Sequence, residues 1–249
     1  MTSRLNLLIS IAKFFARSAR ARSKVLSLYY KSIEFCDWIL SLRYLRARSI
    51  SLRSVFKGHH LYTYRGITCR KFPTDYAIYQ MLINDNQPDL VIEIGTNFGG
   101  SALYFQDLLD KQGTGGKVHT IDVVDMVTAP LVLENPSIER YLGGWENYPV
   151  DRLDQSKKIM VIDDGSHKSE DTLAALRKFS PFVSIGQYFI VEDGVVSKLG
   201  MSRRYGGGPM KAISTFLKSN NSFRVDSKIE NFFGKNSSSN LTGYLLRID

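Results

Sequence analysis

The chain has 249 residues, 43% of them hydrophobic and 23% charged, the makeup of a globular protein with one ordinary domain and an appendage. Two cysteines, Cys36 and Cys69, without CxxC spacing, exclude a zinc framework or disulfide scaffold and point to a reducing compartment. The formal charge of +9 is uneven: residues 1–57 carry twelve Lys/Arg against two acids, residues 58–249 carry 21 against 22, so the larger part has no bias toward nucleic acid.

Residues 4–57 contain neither Gly nor Pro. Apolar residues recur at helical spacing through Leu5, Leu8, Ile9, Ala12, Phe15 and Ala16, with Lys and Arg on much of the other face. This predicts a basic amphipathic helical arm over residues 1–57. The longest nearly apolar run, LNLLISIA, is too short to span a bilayer. Four roles stay open for the arm: peripheral contact with an anionic inner membrane face, packing between subunits of a homo-oligomer, packing back on its own domain, or a targeting peptide. A cytoplasmic location is expected.

From Gly58 the composition changes, and a second domain is expected over residues 58–249. An aromatic loop leads to a helix that Pro73 and Thr74 are placed to start. Strands and helices then alternate. Strands are expected at 89–94 (DLVIEI), 117–122 (KVHTID), weakly at 138–143, at 158–164 (KIMVIDD) and at 186–193 (GQYFIVED). Helices are expected from about Gly100, over KSEDTLAALRKFS and over GGPMKAISTFLKS. SFRVD and TGYLLRID close the chain as an antiparallel pair, around a polar loop at 234–240. This order predicts an α/β fold, a doubly wound, mostly parallel seven-stranded Rossmann-like sheet with an N-terminal helical arm. Ligands of such sheets bind outside the carboxyl ends of the strands, and each major strand ends in an acid: Glu93, Asp122, Asp163 with Asp164, and Glu192 with Asp193.

The run VIEIGTNFGGSALYF (91–105) holds the first turn. It lacks the GxxxxGK[ST] of a phosphate-binding P-loop, and Asn97 stands where a dinucleotide fingerprint needs its second glycine. What remains is ExGxxxGxS, with Glu93, Gly95, Thr96, Gly99 and Ser101. Such a turn suits a nucleoside with an amino-acid tail. Glu93 can accept from an ammonium, and Asp122 can take both ribose hydroxyls. That is the pattern of S-adenosylmethionine (SAM) binding, and Asp163 joins the set. The bland alternative is a glycine-lined strand–helix turn.

IDDGSH (162–167) and VED (191–193) form a second constellation. If their strands are neighbours, Asp164, Glu192 and Asp193 converge. Three carboxylates repel, and all-oxygen ligation of Mg²⁺ would satisfy them. A bound cation lowers the pKa of a ligated oxygen, and His167 can take the proton. Asp164 and His167 are therefore the expected catalytic pair. Solvated strand-end acids, or helix capping by Asp163 or His167, are the alternatives. His59, His60 and His119 are read as surface or packing residues.

EIGTxxGGSA, DGSH, the VED strand end and the GPM turn together resemble the cephalosporin hydroxylase / rhamnosyl O-methyltransferase family over residues 62–248. The resemblance implies a class I SAM-dependent methyltransferase fold close to macrolide-sugar O-methyltransferases. It implies Mg²⁺ on Asp164, Glu192 and Asp193, with His167 as base. It also implies a small-molecule or lipid-linked sugar as acceptor. Tyr62, Tyr64, Arg65 and Asp75 are expected to close over the site, and the unmatched segment 127–149 to help form the acceptor site. The rivals are a non-catalytic SAM-binding or membrane scaffold, and an iron oxygenase, which would need a second histidine beside the acids.

Overall fold

The computed structural model describes residues 28–36, 39 and 52–249. The chain divides into two compact units, residues 1–52 and 53–249. In the first, residues 28–36 are helical and exposed. The other expectations for the arm fall largely outside the described residues. Among the described residues no helix is long and apolar enough to cross a membrane.

The second unit opens with helix α1 (Leu52–Leu61) and a short hairpin, β1 (Thr63–Tyr64) and β2 (Ile67–Thr68). Helix α2 (Pro73–Asn86) follows, with Pro73 in its first turn, where a missing N–H costs nothing. Then come β3 (Leu90–Ile94), α3 (Gly100–Gln112), β4 (Lys117–Asp122), α4 (Pro130–Leu133) and β5 (Ile138–Leu142). The second half holds β6 (Ile159–Asp163), α5 (Ser169–Phe179), β7 (Tyr188–Val191) and α6 (Gly208–Leu217). It closes with β8 (Phe223–Val225), α7 (Ser227–Glu230) and β9 (Tyr244–Arg247).

One seven-stranded sheet runs β5-β4-β3-β6-β7-β9-β8. Its first five strands are parallel, and β9 is antiparallel to both β7 and β8. Buried β3 and β6 carry apolar side chains on both faces, as strands covered by helices on two sides must. Met160 and Ile162 join a cluster with Ile78, Ile83, Leu103 and Phe105 from α2 and α3. Ile159 and Val161 join another with Leu176, Phe179, Ile213 and Phe216 from α5 and α6. Each such side chain contributes about 1.5–3 kcal/mol on burial.

The chain leaves β3 toward β4 and β5, then crosses back to lay β6 on the other side of β3. The crevice of a doubly wound sheet opens at this reversal, outside the carboxyl ends of the strands. Register puts Ile94 beside Asp163 there.

Candidate active site

The β3–α3 turn forms one half of the crevice. Gly95 has φ +103°, and a Cβ on it would lie 2.2 Å from the Asp164 carbonyl oxygen. Asp164 in turn donates its N–H to the Ile94 carbonyl at 2.8 Å. The glycine is thus needed because the end of β6 lies against it. The Gly95→Ala variant is expected to lose about 1–3 kcal/mol from backbone strain, read as a lower urea midpoint with unchanged slope. Wild-type stability would show that the β6 end can move aside.

Glu93 is fully buried. Its Oε2 accepts the Thr120 hydroxyl at 2.7 Å, and Thr120 Oγ1 is also 2.7 Å from Thr96 Oγ1. Thr120 faces Glu93 directly in the β3–β4 register. Glu93 Oε1 makes no well-formed hydrogen bond, although the Ser101 hydroxyl is near the carboxyl. Burial pushes this carboxyl up to about 7, against the pull of Lys71, Ser101 and Thr120. Asp122, ending β4, accepts main-chain N–H groups from Asn97 (2.8 Å) and Val123 (2.7 Å). Each carboxylate oxygen still has acceptor capacity. Gly99 caps α3 in a left-handed conformation.

Across the crevice, β6 and β7 are neighbours, as expected. Asp163 is buried, accepts the Gly165 N–H at 3.2 Å and is pushed up to about 6, chiefly by burial. The N-cap of α5 is Lys168, with no side-chain cap, so neither Asp163 nor His167 caps it. One ligand atom each from Asp164, His167 and Asp193 lies within 4.8 Å of the others. His167 Nε2 is 3.5 Å from Asp193 Oδ2. Both residues hold left-handed backbone, φ +58° and +56°, sparsely populated by non-glycine residues and a recurrent feature of working sites. Burial, then Asp164, raises the Asp193 carboxyl.

Glu192 departs from the expected convergence. Neighbouring residues at a strand end face opposite ways, so Glu192 turns inward while Asp193 joins His167. Its Oε1 accepts from both Lys71 Nζ and the Tyr79 hydroxyl. Lys71 Nζ also lies 3.1 Å from Asp164 Oδ2. An ammonium, rather than a divalent ion alone, thus offsets the clustered acids. Lys71 is only 2% exposed. Burial opposes its charge, but Asp164, Glu192 and Glu93 outweigh that and hold it protonated. Lys71 takes one oxygen of each acid, Asp164 Oδ2 and Glu192 Oε1.

The expected cover also separates. Tyr64 and Arg65 bind Asp107 on α3 (2.8 and 3.1 Å) and pin the hairpin there. Asp75 is fully buried and accepts from the Ser239 and Tyr244 hydroxyls. Asn240 bonds Tyr79 and Tyr244 and accepts the Asp193 N–H. The polar loop at 234–240 is thus a structural support under the acids. In segment 127–149, β5 is an edge strand and Val127 and Val132 pack in the core near Gly99. His119 packs against Tyr148, 2.6 Å from its hydroxyl. Lys71, Tyr79, Thr120 and Asn240 went unread in the sequence. Only Thr120 had a signal, its place two residues before Asp122 on the same strand.

The family model described as Rhamnosyl O-methyltransferase/CmcI matches residues 57–143 and 146–248. The chain belongs to this family. It is a methyltransferase enzyme. The rhamnosyl O-methyltransferase of Mycobacterium tuberculosis strain H37Rv is 33% identical over 193 residues, 74% of this chain and 78% of that protein. The Mycobacterium leprae protein of the same name is 31% identical over 161 residues, 62% of this chain and 69% of its own. Among solved structures, CmcI with Mg and SAM is 23% identical, with TM-score 0.56 over 76% of this chain and 78% of that one. A Bacillus cereus O-methyltransferase in complex with SAH (S-adenosylhomocysteine) is 15% identical, with TM-score 0.51 over 73% and 86%. These two likenesses show the fold.

Proposed function

We propose that the enzyme is a SAM-dependent, Mg²⁺-assisted O-methyltransferase acting on a sugar hydroxyl. The observation that carries this reading is the facing pair of acid sets at the β3–β6 reversal, in a chain of this family. The likeness to the mycobacterial rhamnosyl O-methyltransferases supports a sugar acceptor.

The residues suit both groups. Glu93 Oε1, buried and without a well-formed hydrogen bond, would accept from the α-ammonium of SAM, and Asp122 from its ribose hydroxyls. Thr96, Ser101 and Asp163 would complete the SAM side of the site. Asp164 and Asp193 would offer hard oxygen donors of the kind Mg²⁺ prefers, while Glu192, turned inward to Lys71 and Tyr79, is set back from them. When bound, SAM supplies a methyl on a sulfonium, and Mg²⁺ would lower the pKa of a ligated oxygen. His167 takes the acceptor hydroxyl's proton as the oxygen forms its bond to the methyl. The methyl would leave SAM without its S–CH₃ electron pair, so the only group the chain itself must move is the hydroxyl proton. Asp193, 3.5 Å from the ring, stabilises the imidazolium.

Calorimetry of the protein with SAM, with Mg²⁺ and again with EDTA, is the test, alongside transfer of labelled methyl to a rhamnoside. No SAM binding would overturn the reading. A pH series sharpens it. Glu93 sits near 7 when folded against 4.5 ordinarily, so it holds its proton at pH 6 and must release it to meet an ammonium. SAM affinity is expected to rise roughly tenfold per pH unit up to about 7, with up to one proton released. The α-ammonium keeps its charge over this range. Glu93→Gln should bind weakly and without that slope. The same upward shift stabilises the unliganded fold below pH 4.5 and costs it about 3 kcal/mol as pH rises to 7. A flat SAM profile in wild type would remove Glu93 from the ammonium site.

A further inference from the structure

A cavity of about 320 Å³ opens beside Lys71, walled by Gly58 and His59 of α1, by Tyr62, and by Pro73 and Tyr76 of α2. Tyr62 is 41% exposed, and its ring centroid lies 4.7 Å from that of Tyr76, planes at 47°. The Tyr76 hydroxyl is committed to the Cys69 carbonyl at 2.6 Å, which leaves the ring as apolar wall. Lys71 ties the cavity to the acids through Asp164 and Glu192. The buried Nδ1 of His59 has no well-formed hydrogen bond, although the Phe56 carbonyl is near.

Two aromatic side chains thus wall a mostly apolar space, with the buried Lys71 behind it. The volume lies at the low end for small-molecule sites, about 300–1,000 Å³, enough for one ring and too little for a lipid chain. A neutral pyranose has the matching character. Its C–H faces stack on aromatic rings, and its hydroxyls hydrogen-bond. No residue of segment 127–149 lines this space.

We propose that this cavity is the acceptor site, taking one pyranose ring against Tyr62 and Tyr76 with a hydroxyl directed toward Asp164 and His167. This rests on the sugar O-methyltransferase reading above. His59 and Tyr62 then act as specificity-determining residues by shaping the wall the ring packs against.

Gly58 gives a clean test. Nothing lies within 4 Å of a Cβ built on it, and its backbone is not left-handed. A side chain there, at the border of the cavity, meets no neighbour, and replacing a helical glycine removes a helix-destabilising residue. The probe is methyl α-L-rhamnopyranoside, added to the full chain with SAH and Mg²⁺ and followed by saturation-transfer NMR. Gly58→Phe and, independently, Tyr62→Ala are expected to bind the rhamnoside about tenfold more weakly. Their SAH affinity, by calorimetry, should be unchanged. If wild type binds the rhamnoside and both variants match it, the cavity assignment falls while the sugar reading stands. If wild type binds SAH but never the rhamnoside, the sugar reading falls and takes the cavity with it.

Discussion

Lys71→Met is expected to unfold about 3–5 kcal/mol more easily than wild type at pH 8, the usual cost of stripping one partner from a buried ion pair. The ammonium is 1% exposed and shared between Asp164 and Glu192. Methionine fills similar volume but leaves two acids facing each other, with only the Tyr79 hydroxyl on Glu192. The pH dependence has a definite sign. Burial and the neighbouring Asp164 already raise the Glu192 carboxyl, and loss of the opposing ammonium raises it further. Its folded form then binds more protons than its unfolded form, so stability is retained at low pH and lost as pH rises. The gap between variant and wild type should therefore widen from pH 5 to pH 8 in urea titrations. Glu192→Gln added to Lys71→Met should recover much of the loss, since a neutral amide needs no counter-charge. Mg²⁺ should stabilise the single variant more than wild type, because it then supplies the missing positive charge. Wild-type stability at pH 8 would mean that the pair contributes nothing.

His167→Gly is expected to lose about 10²–10⁴-fold in turnover with little change in SAM affinity. The ring is 20% exposed, and no hydrogen bond joins it to Glu93 or Asp122. The choice of glycine follows from the backbone. His167 sits at φ +58°, where alanine would add strain that could be mistaken for lost catalysis, whereas glycine adopts this conformation freely. Asparagine, which also tolerates it, is the second control. Added imidazole should restore part of the activity to His167→Gly by entering the vacated space beside Asp193. Turnover within a few-fold of wild type, or no response to imidazole, would move the proton to another acceptor.

Much of the fold was legible because its signals are local. Continuous apolar runs ending in acids marked β3, β4, β6 and β7, and β4 falls at 117–122 as read. A strand buried on both faces must be apolar throughout, and that cannot be hidden in composition. Pro73 and the Gly99–Gly100 pair marked helix starts for reasons equally local. The two acid sets were legible too, since topology sends every parallel strand's carboxyl end to one edge of the sheet.

Other features depend on contacts between distant residues. Lys71 stands 93 residues from Asp164 and 121 from Glu192, and one lysine among 33 Lys/Arg carries no mark of burial. The loop at 234–240 has the composition of a linker, yet Ser238 and Asn240 are buried beneath the acids. The turn of the chain at Asp193 separates it from Glu192, which a reading of VED as one acidic unit could not foresee.

Sequence by itself thus determined the parallel sheet, the strand-end acids, the glycine turn and the family, because apolar period, turn chemistry and motif spacing are properties of adjacent residues. Tertiary structure alone decided which cation holds the acids apart, which carboxylate joins His167, and where an aromatic cavity meets them. Those depend on packing and desolvation among residues a hundred positions apart, and a buried charge is recognisable only once its surroundings are known.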